Sequence, residues 1–178
     1  TPANLSRTSS EGEPGAGNTY TDLATEAARA AKHFHVKDLA NANFVIVQPQ
    51  EFSDPNAYKS GYCAFHDYTA PGIEHGIYDG ITPGISYTNM PYVLKINSES
   101  GANDCGENAV NPGPEGKLDG ISIVLGHEIE ETITDPGAET ILGSGSAATN
   151  LGGWYDALDA NENGDKCAWV GEPLTGPV

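Results

Sequence analysis

Apolar residues recur at helical spacing in Leu23, Ala27, Ala28, Ala31 and Phe34, which predicts a helix over residues 21–35 with Asp22 near its start. The run Asn43-Phe-Val-Ile-Val-Gln48 is short and apolar and predicts a buried strand. Tyr62-Cys-Ala-Phe-His-Asp-Tyr68 predicts a second strand. Residues 84–90 predict a third, which resumes over residues 91–94 after an interruption at Pro91. Residues 98–118 read as a polar connection. Ile121, Ile123, Val124 and Leu125 then lead into a second helix from an apolar stretch, with Asp119 as N-cap and Pro136 as its stop. Gly126 within it reads as a point of close backbone approach, at a cost of about 1 kcal/mol in helix propensity. Residues 51–61, 69–83 and 137–153 are loops, no internal repeat is present, and an apolar run, Cys167-Ala-Trp-Val170, closes the last acidic segment. The expected fold is a single loop-rich α+β domain, a small mixed sheet packed on the second helix. Residues 1–18, rich in Ser, Gly, Pro and Glu, read as a flexible N-terminal segment ahead of one domain over residues 19–178.

Length and charge narrow the function. A chain of 178 residues suits one domain with a single core. With 8 Lys+Arg against 25 Asp+Glu and a net charge of −17, it lacks the clustered basic side chains that a nucleic-acid partner or an anionic membrane surface requires. No segment approaches the roughly 20 apolar residues of a membrane span. The chain begins at Thr1 without Met, which reads as the removal of an upstream segment and, with the acidity, as secretion. Three cysteines, Cys63, Cys105 and Cys167, then predict one disulfide and one remaining thiol. Cys63–Cys105 is the preferred pair because both flank the same expected strand region.

The chemistry concentrates in Gly126-His-Glu-Ile-Glu-Glu-Thr-Ile-Thr-Asp-Pro136. His127 and Glu131 are four residues apart, so they project from one helical face and can bind one metal ion. Glu128 is rotated about 100° from His127 and falls where His-Glu-x-x-His metallopeptidases keep their general base. Glu131 stands in place of the second His of that motif. A catalytic zinc usually keeps three protein ligands, so a third is needed. Glu162 and Asp165 are candidates from a distant loop; Asp135, one turn beyond Glu131, and His66, on the second strand, are the others. Asp135 also reads as a turn residue before Pro136, and His66 as a structural histidine beside Asp67. His33, His35 and His75 read as surface or packing residues.

Asp159-Ala-Asn-Glu-Asn-Gly-Asp165 also resembles the first half of a calcium loop, with side-chain oxygens at alternate positions and Gly at the sixth. Val170 stands where the bidentate Glu of an EF-hand belongs, so calcium requires an incomplete loop. A solvated Asx-rich turn is the third reading.

Several blocks together resemble a family of secreted bacterial and fungal proteins of peptidase type. They are residues 62–67, 87–92, 104–106, 119–136 and 154–156 and the late Glu162-Asn-Gly-Asp-Lys-Cys-Ala-Trp169. The resemblance spans roughly residues 43–170. A fainter similarity, limited to Cys-x-Phe-His and the helix, is to plant phosphate-induced (exordium-like) proteins. The resemblance implies an extracellular protein and proteolysis, with His127, Glu128, Glu131, Asp135, Glu162, Asp165 and the cysteines as motif positions. The expectation is a secreted, monomeric, zincin-like zinc endopeptidase acting on protein or peptide substrates. Glu128 would be its general base, and Tyr155, if not simply packing, would donate to the developing oxyanion. The rivals are a metal-independent acid hydrolase pairing Glu128 with Glu162, and a calcium-stabilised binding protein without activity.

Overall fold

An open three-stranded sheet lies between two helices in this computed structural model, which describes residues 19–50, 57, 62–68, 85–100, 105–136, 161–166 and 168. Strand β1 (Asn43–Val47) runs parallel to β3 (Ser86–Met90), and β2 (Phe65–Tyr68) runs antiparallel to β3 on its other side. Helix α1 (Thr19–His33) precedes the sheet; α2 (Val93–Ser100) and α3 (Asp119–Thr134) follow it. Short 3-10 turns occupy Leu39–Asn41 and Gly113–Gly116. The molecule is a single mixed α+β domain. No described helix is long and apolar enough to cross a membrane.

The two faces of the sheet follow from strand alternation. Phe44 and Ile46 of β1, Tyr87 of β3 and Phe65 of β2 share one face, which packs on Leu23, Ala24, Ala27, Ala28 and Ala31 of α1. The small alanines let the helix sit close to the rings. Helix α1 ends two residues earlier than its periodicity predicts. The amides of His35 and Val36 turn back to the carbonyls of Lys32 and Ala31, with His35 left-handed at φ 52°. Phe34 consequently points to solvent.

The opposite face carries His66, Thr88 and Met90 toward α3. A second core forms there from Ala57, Ala64, Met90, Val93, Ile96 and Cys105, against Ile121, Val124 and Leu125 of α3. Because α3 covers β3 and β2 but not β1, Val45 and Val47 are exposed, and β1 is an edge strand rather than the buried one expected. Cys63 and Cys105 are joined in a disulfide that ties the β2 approach to the segment before α3. Closing a loop with a separation of 42 residues contributes about 4 kcal/mol in the chain-entropy model.

Four local expectations are corrected. Only Phe65–Tyr68 of the second predicted strand is extended. Beyond β3, Pro91 cannot donate to the ladder, and the Tyr92 carbonyl accepts from Lys95 and Ile96, so Val93 and Leu94 begin a helix. Asp119 is the first residue of α3 rather than its N-cap. Its carboxylate accepts from the Val110 and Asn111 amides and from Asn111 Nδ2, fastening the preceding loop. Ile123 is exposed, and a Cβ at Gly126 would meet nothing within 4 Å among the described residues, so no close approach occurs there.

Two measurements follow. Gly126→Ala should raise stability by about 1 kcal/mol, since Ala is the better helix former and space is open; denaturant titration checks it. The two hydrogen bonds from Asn111, helped to a lesser degree by the Val110 amide, hold the Asp119 carboxyl below its ordinary pKa against opposing desolvation. A depressed pKa stabilises the fold above the unfolded carboxyl value and loses that contribution as pH falls through the folded one. Asp119→Ala should therefore melt below the wild type at neutral pH, and the gap should narrow in acid.

Candidate metal centre

The buried stripe of α3 changes character along its length. Ile121, Val124 and Leu125 are apolar, but the same stripe continues as Glu128, Glu131, Thr132 and ends at Asp135, all buried. Spacings of three and four keep these residues on the face toward the sheet. The carboxylates of Glu128 and Glu131 thus enter the space beneath the helix where β2 delivers His66, because Phe65 turns to α1 and its neighbour must turn the other way.

His66 is 2% exposed and organises the inner part of the site. Its Nε2 donates to the Asp135 carbonyl at 2.7 Å. Its Nδ1 lies 3.2 Å from Glu128 Oε2 and 3.6 Å from Glu131 Oε2. Glu162 Oε1 approaches the Nε2 side at 3.3 Å. Burial alone would lower the pKa of His66, but Glu128, Glu162 and the Asp135 carbonyl together push it up to about 11. Burial raises both Glu128 and Glu162 above the usual carboxylate range, against the opposing pull of His66.

The outer part is half-open. His127 Nε2 lies 3.0 Å from Glu131 Oε1 and 3.6 Å from Asp165 Oδ1, with the His127 side chain 28% and Asp165 38% exposed. The Glu131 carboxylate first, opposed by burial, holds His127 above its ordinary pKa. Glu131 Oε1 nevertheless makes no well-directed hydrogen bond, and neither does the buried Glu162 Oε1.

The loop bearing Glu162 and Asp165 is fastened to the end of α3. Thr134 Oγ1 donates to Asn163 Oδ1, which also accepts the Gly164 amide, and the Glu162 amide donates to Asp165 Oδ2. Gly164 is the closest point. A Cβ there would lie 2.7 Å from Glu131 Oε1 and 2.9 Å from His127 Nδ1, so only glycine lets the loop press on both groups.

The sequence-predicted residues His127, Glu128, Glu131, Glu162, Asp165 and His66 therefore converge, although not around one point. Asp165 joins His127 and Glu131, whereas Glu162 joins His66. Asp135 takes part through its backbone carbonyl, and it belongs to neither His-carboxylate trio able to hold a cation. Tyr155, Asp159, His75, Cys167 and Trp169 lie outside the described residues. Gly164 was legible only as the glycine of a turn, and its tight seat on Glu131 has no signature in the chain itself. Thr134 stands in the sequence only within the helix pattern Gly-His-Glu-x-x-Glu-x-x-Thr-Asp that carries the resemblance, with no role attached to it.

The donor set fits a divalent transition metal. Nitrogen and oxygen ligands without thiolate suit zinc and its neighbours, and the cluster sets four carboxylates against two imidazoles. Two trios meet the spacing for a cation: His66, Glu128 and Glu131 inside, and His127, Glu131 and Asp165 outside. No protein-family model, curated protein or solved structure matches the chain. Gly164→Ala should push the loop off His127 and Glu131 and weaken zinc binding by about 10-fold or more, on the scale of outer-shell losses at metal sites. Unchanged affinity in an isothermal titration would separate the loop from the centre.

Proposed function

We propose that this chain is a secreted metal-dependent hydrolase, an endopeptidase of zincin-like logic, whose ion is held by His127, Glu131 and Asp165. The observation that carries this reading is the meeting of the late acidic loop with the helix motif: His127 Nε2 faces Glu131 Oε1 at 3.0 Å and Asp165 Oδ1 at 3.6 Å on the solvent side of the cluster. One open ligand position on that side is what a catalytic site keeps and a closed structural site lacks. The disulfide is consistent with an oxidising, extracellular setting. The resemblance to secreted peptidase-type proteins supports the same class.

A divalent cation held by His127, Glu131 and Asp165 would supply Lewis acidity toward a scissile carbonyl and toward water. The protein's own part is proton handling. Glu128 sits inside the cluster beside His66, and its raised pKa improves it as a proton acceptor near neutral pH. It takes the proton of the attacking water and returns it to the leaving amine. His66, tethered by Asp135, holds one Glu128 oxygen and leaves the other to act. The acid-hydrolase alternative fits less well, because the His66 ring stands between Glu128 on its Nδ1 side and Glu162 on its Nε2 side, where a substrate would have to bind. The calcium-loop alternative is weakened by Asn163, whose side-chain oxygen is engaged by Thr134 and Gly164.

The test is hydrolysis of an unfolded protein substrate alongside metal analysis. Protein given one equivalent of zinc should cleave it and chelator-stripped protein should not. Glu128→Gln should retain the outer ion yet lose about 10²–10⁴-fold in kcat, the range of a general base. His127→Ala should lose the ion. Full activity in the stripped protein would overturn the metal-dependent reading, and loss of the ion in Glu128→Gln would remove Glu128 from the role of base.

A further inference from the structure

Glu131 presents its two oxygens to two different imidazoles, Oε1 to His127 at 3.0 Å and Oε2 to His66 at 3.6 Å. It is 3% exposed, and its Oε1 makes no well-directed hydrogen bond although His127 lies beside it. A carboxylate so buried and so divided is placed to bridge two cations, which in two-metal sites lie about 3.5–4 Å apart.

The inner position has its own chemical logic. A carbonyl oxygen only accepts, so the 2.7 Å contact with Asp135 O assigns a proton to His66 Nε2. In the neutral ring, Nδ1 then directs a lone pair at Glu128 Oε2 and Glu131 Oε2, at 3.2 and 3.6 Å. Three lone-pair donors facing one another repel unless a proton or a cation lies among them. An imidazole whose far nitrogen donates to a backbone carbonyl is also the usual arrangement of a metal-ligating histidine. Ligands about 2.0–2.1 Å from a tetrahedral ion sit roughly 3.3–3.4 Å from one another, and both trios have contacts that bracket this spacing.

We propose that the inner trio, His66 Nδ1, Glu128 Oε2 and Glu131 Oε2, is a second binding position for a divalent transition-metal ion, and that its occupation switches hydrolysis off. The mixed nitrogen and oxygen set selects zinc, cobalt or manganese over magnesium or calcium, which prefer all-oxygen sites. The ion displaces the proton from His66 Nδ1 and ties Glu128 to the metal. Glu128 then no longer accepts a proton from water. The first equivalent of zinc supports hydrolysis through the outer trio; the second, shared through Glu131, stops it. The inhibitory half of this inference rests on the hydrolase reading above, whereas the binding half does not.

The experiment titrates the chelator-stripped full chain with zinc and reads stoichiometry by native mass spectrometry and calorimetry, with hydrolysis measured in parallel. The wild type should take two ions in separate steps. His66→Gln and, as an independent check should that variant fail to fold, Glu128→Gln should each keep one ion and weaken the second by at least about 10-fold, the smallest loss expected for a ligand. Wild-type hydrolysis should rise with the first ion and fall with the second, whereas His66→Gln, slower throughout because Glu128 loses its tether, should hold its one-ion rate as more zinc is added. A single ion in the wild type overturns the proposal. So does a second ion that both variants retain at full affinity, which is an adventitious ion only, and so does hydrolysis that persists with both ions bound. Two ions, the second of them His66-dependent, in a protein that never hydrolyses would uphold the inner position while sinking both the hydrolase reading and the switch.

Discussion

The site depends on an imbalance of charge held out of water. Glu128, Glu131 and Asp135 are buried on one helical stripe, Glu162 leans in from a loop, and His66 is the one buried imidazole described among them. Burying an ionised carboxylate without a partner is costly, and one imidazolium cannot serve several at once. The consequences are visible in direction: burial pushes Glu128 and Glu162 up, and their combined pull drives His66 up. His66 therefore keeps a proton where an ordinary imidazole would release it. A divalent cation would provide the same neutralisation more completely, so proton and metal would compete for one space, and the proposed metal chemistry rests on that competition.

Helix α3 makes the imbalance worse rather than better. Its last turns carry Glu128, Glu130 and Glu131, its C-cap is Asp135, and its last turn has no basic residue. The carbonyl end of a helix bears partial negative charge, so acidic groups there are disfavoured by a few tenths to about 1 kcal/mol each when exposed. A sequence shaped by stability alone would place them at the other end. Departures from local preference that persist inside an otherwise consistent fold are the mark of a functional site. The disulfide and the two apolar clusters, one on each face of the sheet, hold the fold against this local cost.

The legible part of the molecule is the part governed by short-range pattern. Helical spacing in α1 and α3, the apolar run of β1 and the pairing of His127 with Glu131 are all periodic, and all appear near their expected places. What was not legible depends on the third dimension. The exposure of Val45 and Val47 follows from α3 covering only two of three strands. The helix at Val93 arises because Pro91 withdraws from the ladder, whereas the run of apolar residues alone reads as strand. Asp119 has the composition of a cap, but Asn111 competes for its carboxylate and wins with two bonds.

The division of labour between Glu162 and Asp165 is the clearest case of such a limit. Both are carboxylates on one short loop, and spacing along the chain treats them as equivalent. The difference is imposed by Gly164, which lies between them in the chain and presses on Glu131 and His127. With the loop pinned there, and Asn163 held by Thr134, the side chains before and after the glycine diverge: Glu162 goes inward to His66 and Asp165 outward to His127. A larger residue at the glycine would lift both together. The shape of one turn therefore decides which carboxylate meets solvent, and with it which of the two imidazoles faces a group that water can reach.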